Sequence, residues 1–109
     1  MIAQTPTPPY FAVIFTSLRT DTDNTGYAAM AELMERLALA RPDCLGMESA
    51  REGLGITVSY WRDEAAIAAW KADVQHAAAQ RLGRERWYEA YRVRIARVER
   101  DYDSFSTKS

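Results

Sequence analysis

Tyr10 to Leu18 (YFAVIFTSL) is the segment that most limits what this chain can fold into. It is rich in β-branched and aromatic residues, so it reads as a strand. Phe11, Val13 and Phe15 fall on one face, and Ala12, Ile14 and Thr16 on the other. Both faces are largely apolar, so both need cover. A chain of 109 residues has room for one domain and one core.

The rest of the chain supplies elements to pack against that strand. Three of the four prolines lie in residues 1–9, which read as a flexible N-terminal arm. After the polar run Arg19 to Thr25, Asn24 or Thr25 can cap a helix that reaches about Ala40, with Met30, Leu33, Met34 and Leu37 in its stripe and Pro42 as its stop. Leu45 to Glu52 and Leu54 to Trp61 read as a hairpin about Gly53. Ile56, Val58 and Tyr60 share one of its faces, and Thr57, Ser59 and Trp61 the other. Asp63 begins a short helix, Glu64 to Lys71, and a second runs from about Asp73 to Arg86. Tyr88 to Asp101 is the closing strand, with its phase broken near Arg97 and Val98, where a bulge is expected.

The order β-α-β-β-α-α-β is the split βαβ pattern of a ferredoxin-like α+β sandwich with an antiparallel sheet. Helices cover one face only, and Ala12, Ile14, Trp61, Ala96 and Val98 are expected on the other. The simplest cover is a second copy, making a homodimer with paired sheets, although loops or tails can also shield such a face. The expected organisation is an arm at 1–9, a domain at 10–102 and a C-terminal tail at 103–109.

Composition narrows the function classes. A net charge of -1 and a pI near 5.8 give no general attraction to nucleic acid or to anionic membranes. One cysteine, Cys44, and one histidine, His76, leave no Cys/His zinc pattern and no internal disulfide framework, so no metal site is expected. The start MIAQTPTPP has neither the basic residues nor the apolar run of a secretory signal. No apolar segment is long enough to span a bilayer. A cytoplasmic location is the expectation. No Gly-rich phosphate loop and no G-x-S-x-G elbow is present, so no nucleotide, flavin or nicotinamide cofactor is indicated.

The chemistry-bearing residues concentrate between Ser59 and Tyr91, which holds all three tryptophans and the histidine. His76 has the side chain whose unperturbed pKa lies nearest neutrality. At helical spacing His76, Gln80, Gly83 and Trp87 form one stripe. Trp61 and Trp70 can line a cavity, their indole N–H groups holding a substrate oxygen, or can be core. Tyr60 and Tyr91 are further hydrogen-bond donors. Ala65, Ala66, Ala68 and Ala69, with Ala77 to Ala79, either leave space beside the rings or let helices approach closely. Arg92 and Arg94 can bind an acidic ligand or pair with Glu48 or Glu52 across the sheet. Asp63 and Glu64 read as helix N-terminal charge.

The segments YFAVIFTS, SYWRDEAAIAAWKAD, QHAAAQRLGRERWY and RVRIARVERDY, in that order, resemble the antibiotic biosynthesis monooxygenase domain of the dimeric α/β-barrel superfamily. The likeness spans about Tyr10 to Tyr102, with a Trp-x5-His segment at Trp70 and His76 and a closing V-E-R-x-Y. It implies a dimer of ferredoxin-like sandwiches, each with a pocket between sheet and helices. It implies oxidation of a small aromatic or polyketide-like substrate by dioxygen without metal or flavin. His76, Trp70 and Trp61 would be catalytic, and Tyr60, Gln80, Trp87 and Tyr91 would bind substrate. Haem-degrading relatives use a helix His, a pocket Trp and a first-strand Asn. Here the first strand offers Thr16 and Ser17 instead, so haem is the weaker implication. A third expectation is a non-enzymatic dimeric module that holds a hydrophobic metabolite.

Overall fold

The computed structural model describes residues 2–81 and 87–105, and for residues 75–81 the backbone alone. Its elements are β1 (Tyr10–Arg19), α1 (Asn24–Leu39), β2 (Cys44–Glu52), β3 (Leu54–Trp61), α2 (Glu64–Arg81) and β4 (Tyr88–Val98). The four strands form one antiparallel sheet in the order β2-β3-β1-β4. This is the expected ferredoxin-like α+β sandwich. β2 and β3 meet in a tight hairpin about Gly53, whose φ of 79° explains a glycine at the turn.

Register assigns the two faces. Phe11, Val13, Phe15 and Ser17 of β1 stand beside Trp61, Ser59, Thr57 and Gly55 of β3. On the other side of β1 they stand beside Arg97, Ile95, Val93 and Tyr91 of β4. The helices lie on this face. Ala38 of α1 and Ala66, Ile67 and Trp70 of α2 bury themselves with Trp61, and Phe11, Val13, Met34, Cys44, Met47 and Val74 close the cluster. The side of α2 that packs is Ala66, Ile67, Trp70 and Val74, a helical stripe.

Several local expectations need correction. Trp61 belongs to the helix face, fully buried, and not to the face awaiting cover. Strand alternation put it opposite Tyr60, but only pairing with Phe11 tells which face the helices choose. The two helices expected on either side of Ala72 are one element, α2. Nothing between Lys71 and Asp73 breaks a helix, and Asp73 spends its carboxylate on Arg41 at 2.5 Å instead of on a cap. Residues 82–86 of the expected second helix lie outside the described residues. Asp23 caps α1, one residue earlier than expected. It sits in the left-handed region at φ 53°, and its Oδ1 accepts from the Gly26 amide at 3.1 Å. No bulge occurs at Arg97 and Val98, which pair in phase with Phe11 and Tyr10. The irregularities fall at Leu18/Arg19 of β1 and at Cys44/Gly46 of β2. Arg97 tolerates the helix face because it is half exposed there and pairs with Glu99 at 2.8 Å.

The second face carries Tyr10, Ala12, Ile14, Thr16 and Leu18 of β1 with Tyr60, Val58, Ile56 and Leu54 of β3. One end of it is covered within the chain. The amide of Ala3 donates to Glu48 Oε1 at 2.8 Å, and Thr5 Oγ1 donates to the Tyr10 hydroxyl at 2.9 Å. A Cβ added at Gly46 would come 3.1 Å from that of Ala3, so the arm lies closely over this glycine. Leu18, Leu54 and Ile56 at the far end are exposed. Arg94 lies in one register row with Ile14, Val58 and Glu48, three strand spacings or about 14 Å from the carboxylate. The expected Arg–Glu pairing across the sheet is therefore out of reach.

Trp61→Ala should remove about 3–5 kcal/mol, a large part of a small domain's stability. Urea unfolding followed by circular dichroism checks this, and an unchanged midpoint would contradict the core placement.

Candidate functional site

The residues expected to form one site are distributed over three places. Trp61 and Trp70 stack on each other with ring centroids 5.6 Å apart and planes inclined by 26°. The Trp61 indole N–H donates to Ser59 Oγ at 2.8 Å, within the buried layer. Both rings belong to the core, and the Trp61 N–H that could have held a substrate oxygen is already satisfied. Asp63 Oδ1 accepts from the Ala66 amide at 2.8 Å and caps the helix that brings Trp70 there.

Tyr60 is on the opposite side of the sheet from Trp61 and Trp70. Its hydroxyl donates to Glu48 Oε2 at 2.6 Å, and its ring meets Tyr10 edge-on at 5.8 Å. Tyr10 in turn donates to Asp101, just beyond β4. Burial, then the Glu48 contact, pushes the Tyr60 phenol well above its usual value. Burial, then the Asp101 contact, also raises the Tyr10 phenol. The Ala3 amide and then the Tyr60 hydroxyl hold Glu48 below the usual carboxylate range. This cluster ties both flanks of the domain to the sheet.

The third place is an aromatic group on the helix side, at the end of the sheet away from Trp61. Phe15 lies 5.4 Å from Tyr88 and 5.5 Å from Tyr91, and those two tyrosines lie 6.0 Å apart. Tyr27 of α1 meets Tyr88 edge-on at 5.8 Å and Trp87 at 6.1 Å. Trp87 is buried. Its indole N–H donates to Asp23 Oδ2 at 3.3 Å, and its carbonyl accepts from the Thr20 amide at 2.9 Å. Tyr91 is 53% exposed, and Val93 and Ile95 beside it are 47% and 54% exposed. The helix-side surface of β4 is therefore an open apolar strip continuous with three rings.

Of the expected site residues, Tyr91 and Trp87 belong to this group. His76 and Gln80 lie in the backbone of α2, on the same side of the sheet, and their side chains lie outside the described residues, as does Gly83. His76 is six residues beyond Trp70, about 9 Å of helix rise. Sequence reasoning missed Phe15, Tyr27 and Arg51. Arg51 and Gly55 each stand two residues from Gly53, so the hairpin alone makes them neighbours, a signal available in the sequence. Among the described residues, no three His, Cys, Asp or Glu side chains group to hold a metal ion. Burial pushes the Cys44 thiol up, away from thiolate chemistry. No described helix is long and apolar enough to cross a membrane.

Comparison with known proteins agrees with this architecture. No family model matches the chain. Solved structures share the fold: SO0527 from Shewanella oneidensis at a TM-score of 0.70 and 12% identity, covering 92% of this chain and 100% of that one. A "putative antibiotic biosynthesis monooxygenase" from Bordetella bronchiseptica aligns at a TM-score of 0.62 and 17% identity, over 82% and 96%. The class is thus the ferredoxin-like fold that these structures share. In sequence the chain is 50% identical over 101 residues to the "Uncharacterized protein YqjZ" of Bacillus subtilis, which covers 91% of this chain and 88% of that protein. It belongs to the family of that protein. A shorter stretch of 49 residues is 35% identical to the jasmonate monooxygenase ABM of Pyricularia oryzae, over 45% of this chain and 23% of that protein.

Glu48 has a lowered folded-state pKa, so its stabilising effect is full above the ordinary carboxylate value of 4.5 and fades as pH falls through the folded value. Glu48→Gln should be less stable than the parent at pH 7, with the gap closing in acid. Denaturant midpoints across pH 3 to 7 measure it, and a gap independent of pH would exclude the carboxylate as the cause.

Proposed function

We propose that the protein is a monooxygenase-like enzyme that needs no metal or flavin and acts with dioxygen on a small aromatic or polyketide-like substrate. The observation that carries this is the open platform of Phe15, Tyr88 and Tyr91 beside Val93 and Ile95, on the side of the sheet where α2 carries His76. A flat apolar substrate gains offset or edge contacts with such rings, and the strip removes its far edge from water. The partial likeness to a jasmonate monooxygenase supports an oxygenation reaction.

The chemistry then falls to the substrate. Its ionised form supplies the electrons, one oxygen atom enters it as a carbonyl, and the other leaves as water. The protein holds the ring system, excludes solvent and moves a proton. His76 is the proton carrier, and Gln80 and Tyr91 offer hydrogen bonds. Trp61 and Trp70 act from behind, as the rigid layer on which α2 is seated, and Tyr60 acts on the other face of the sheet.

A homodimer belongs to this reading. Leu18, Leu54 and Ile56 are apolar and exposed on the arm-bearing face, and a second sheet would bury them. The molecule would be cytoplasmic.

Anthrone, a tricyclic ketone with an acidic methylene, is a suitable probe. One dioxygen should be consumed per anthrone, and His76→Ala should slow the protein-dependent rate about 100-fold with little change in thermal midpoint. Equal rates would remove His76 from the reaction. Ile56→Glu should shift the sedimentation mass from two copies to one, and a parent protein that is already monomeric would remove the dimer.

A further inference from the structure

The hairpin places a guanidinium on the helix face next to this platform. Arg51, Gly55, Ser17 and Tyr91 form one row across all four strands. The Arg51 side chain lies flat over Gly55: a Cβ added there would come 2.1 Å from Arg51 Cζ. The guanidinium reaches on to β1, where Nη2 donates to Ser17 Oγ at 2.5 Å and Nη1 to the Ser17 carbonyl at 3.4 Å. Ser17 is itself buried. The glycine is thus a slot that holds a cation across β3 at the hairpin end of the sheet.

That cation has no counter-charge among the described residues. Its two bonds to Ser17 are its hydrogen bonds among the described residues, and the planar fork has further N–H donors. A second guanidinium, Arg19, lies 3.7 Å from the Tyr27 ring centroid, and Arg51 lies 5.9 Å from the same ring. Arg19 is held by neutral acceptors, the Trp87 and Thr22 carbonyls and Asn24 Oδ1. Two positive groups therefore flank one tyrosine at the edge of a ring platform.

We infer that Arg51 is the anion anchor of the helix-side platform, and that the ligand class is a flat ring system bearing a carboxylate. The carboxylate meets the fork presented in the Gly55 slot, and the rings lie along Phe15, Tyr91 and Val93. Planar carboxylates suit a guanidinium because two parallel hydrogen bonds can form. This inference rests on the helix-side platform being the ligand site of the proposed function.

A matched pair of probes separates charge from shape: 2-naphthoate and its neutral amide, 2-naphthamide, titrated by calorimetry. Naphthoate should bind about tenfold more tightly than naphthamide. Arg51→Met should abolish that preference by weakening naphthoate far more than naphthamide. Gly55→Ala, which keeps the arginine but fills its slot, should do the same. Equal affinities in the parent protein, or a preference that survives Arg51→Met in a folded variant, would overturn the inference. The parent comparison decides alone if neither variant folds. Oxygen uptake distinguishes the two levels of the reading. Selective naphthoate binding without oxygen uptake from any ring substrate keeps the anchor and defeats the enzyme. Uptake from anthrone with no naphthoate preference does the reverse.

Discussion

The stack of Trp61 on Trp70 is the contact on which the rest of the molecule is arranged. It joins the last residue of a strand to the middle of the helix that follows, across only two intervening residues of non-helical chain. With Ala38, Ala66 and Ile67 it sets how α1 and α2 lie on the sheet. Small alanines around two large rings let both helices approach closely, which answers what the alanine-rich stretch is for at Ala66. Because this contact consumes the helix cover at one end of the sheet, the other end keeps its rings and its apolar edge strand open. Core and candidate site are two ends of one surface, divided by where the tryptophans take the helices.

Much of the fold was legible because its signals are local. Strand alternation, the glycine turn at Gly53 and an apolar stripe around Leu33 and Met34 fix element types without knowledge of what packs on what. Errors arose where a local sign had a distant partner. Asp73 looked like a helix start, but its carboxylate serves Arg41 across 32 residues of sequence. The cap expected at Asn24 or Thr25 is Asp23, whose carboxylate also reaches the Trp87 indole. Trp61 was assigned to both faces in turn, since alternation orders a strand's residues without saying which side the helices take.

The site was less legible than the fold for a related reason. A tryptophan reads alike in a core and in a pocket, and the choice depends on neighbours contributed by other elements. Tyr60 and Trp61 are adjacent in sequence and end on opposite sides of a sheet, one hydrogen-bonded to Glu48 and one stacked in the core. The group that replaces the expected constellation draws on β1, α1, β2 and β4, so no short motif could have contained it. Arg51 opposite Gly55 is the exception, a pairing implied by the turn itself.

The side chain of Asp23 has a double attachment that bears on motion. One oxygen takes the Gly26 amide at the start of α1 and the other takes the Trp87 indole at the start of β4. Two segments more than 60 residues apart thus share one carboxylate. Fraying of the helix tip and release of the strand entrance each break a bond to that carboxylate, so amide hydrogens at both places are expected to exchange as one cooperative unit.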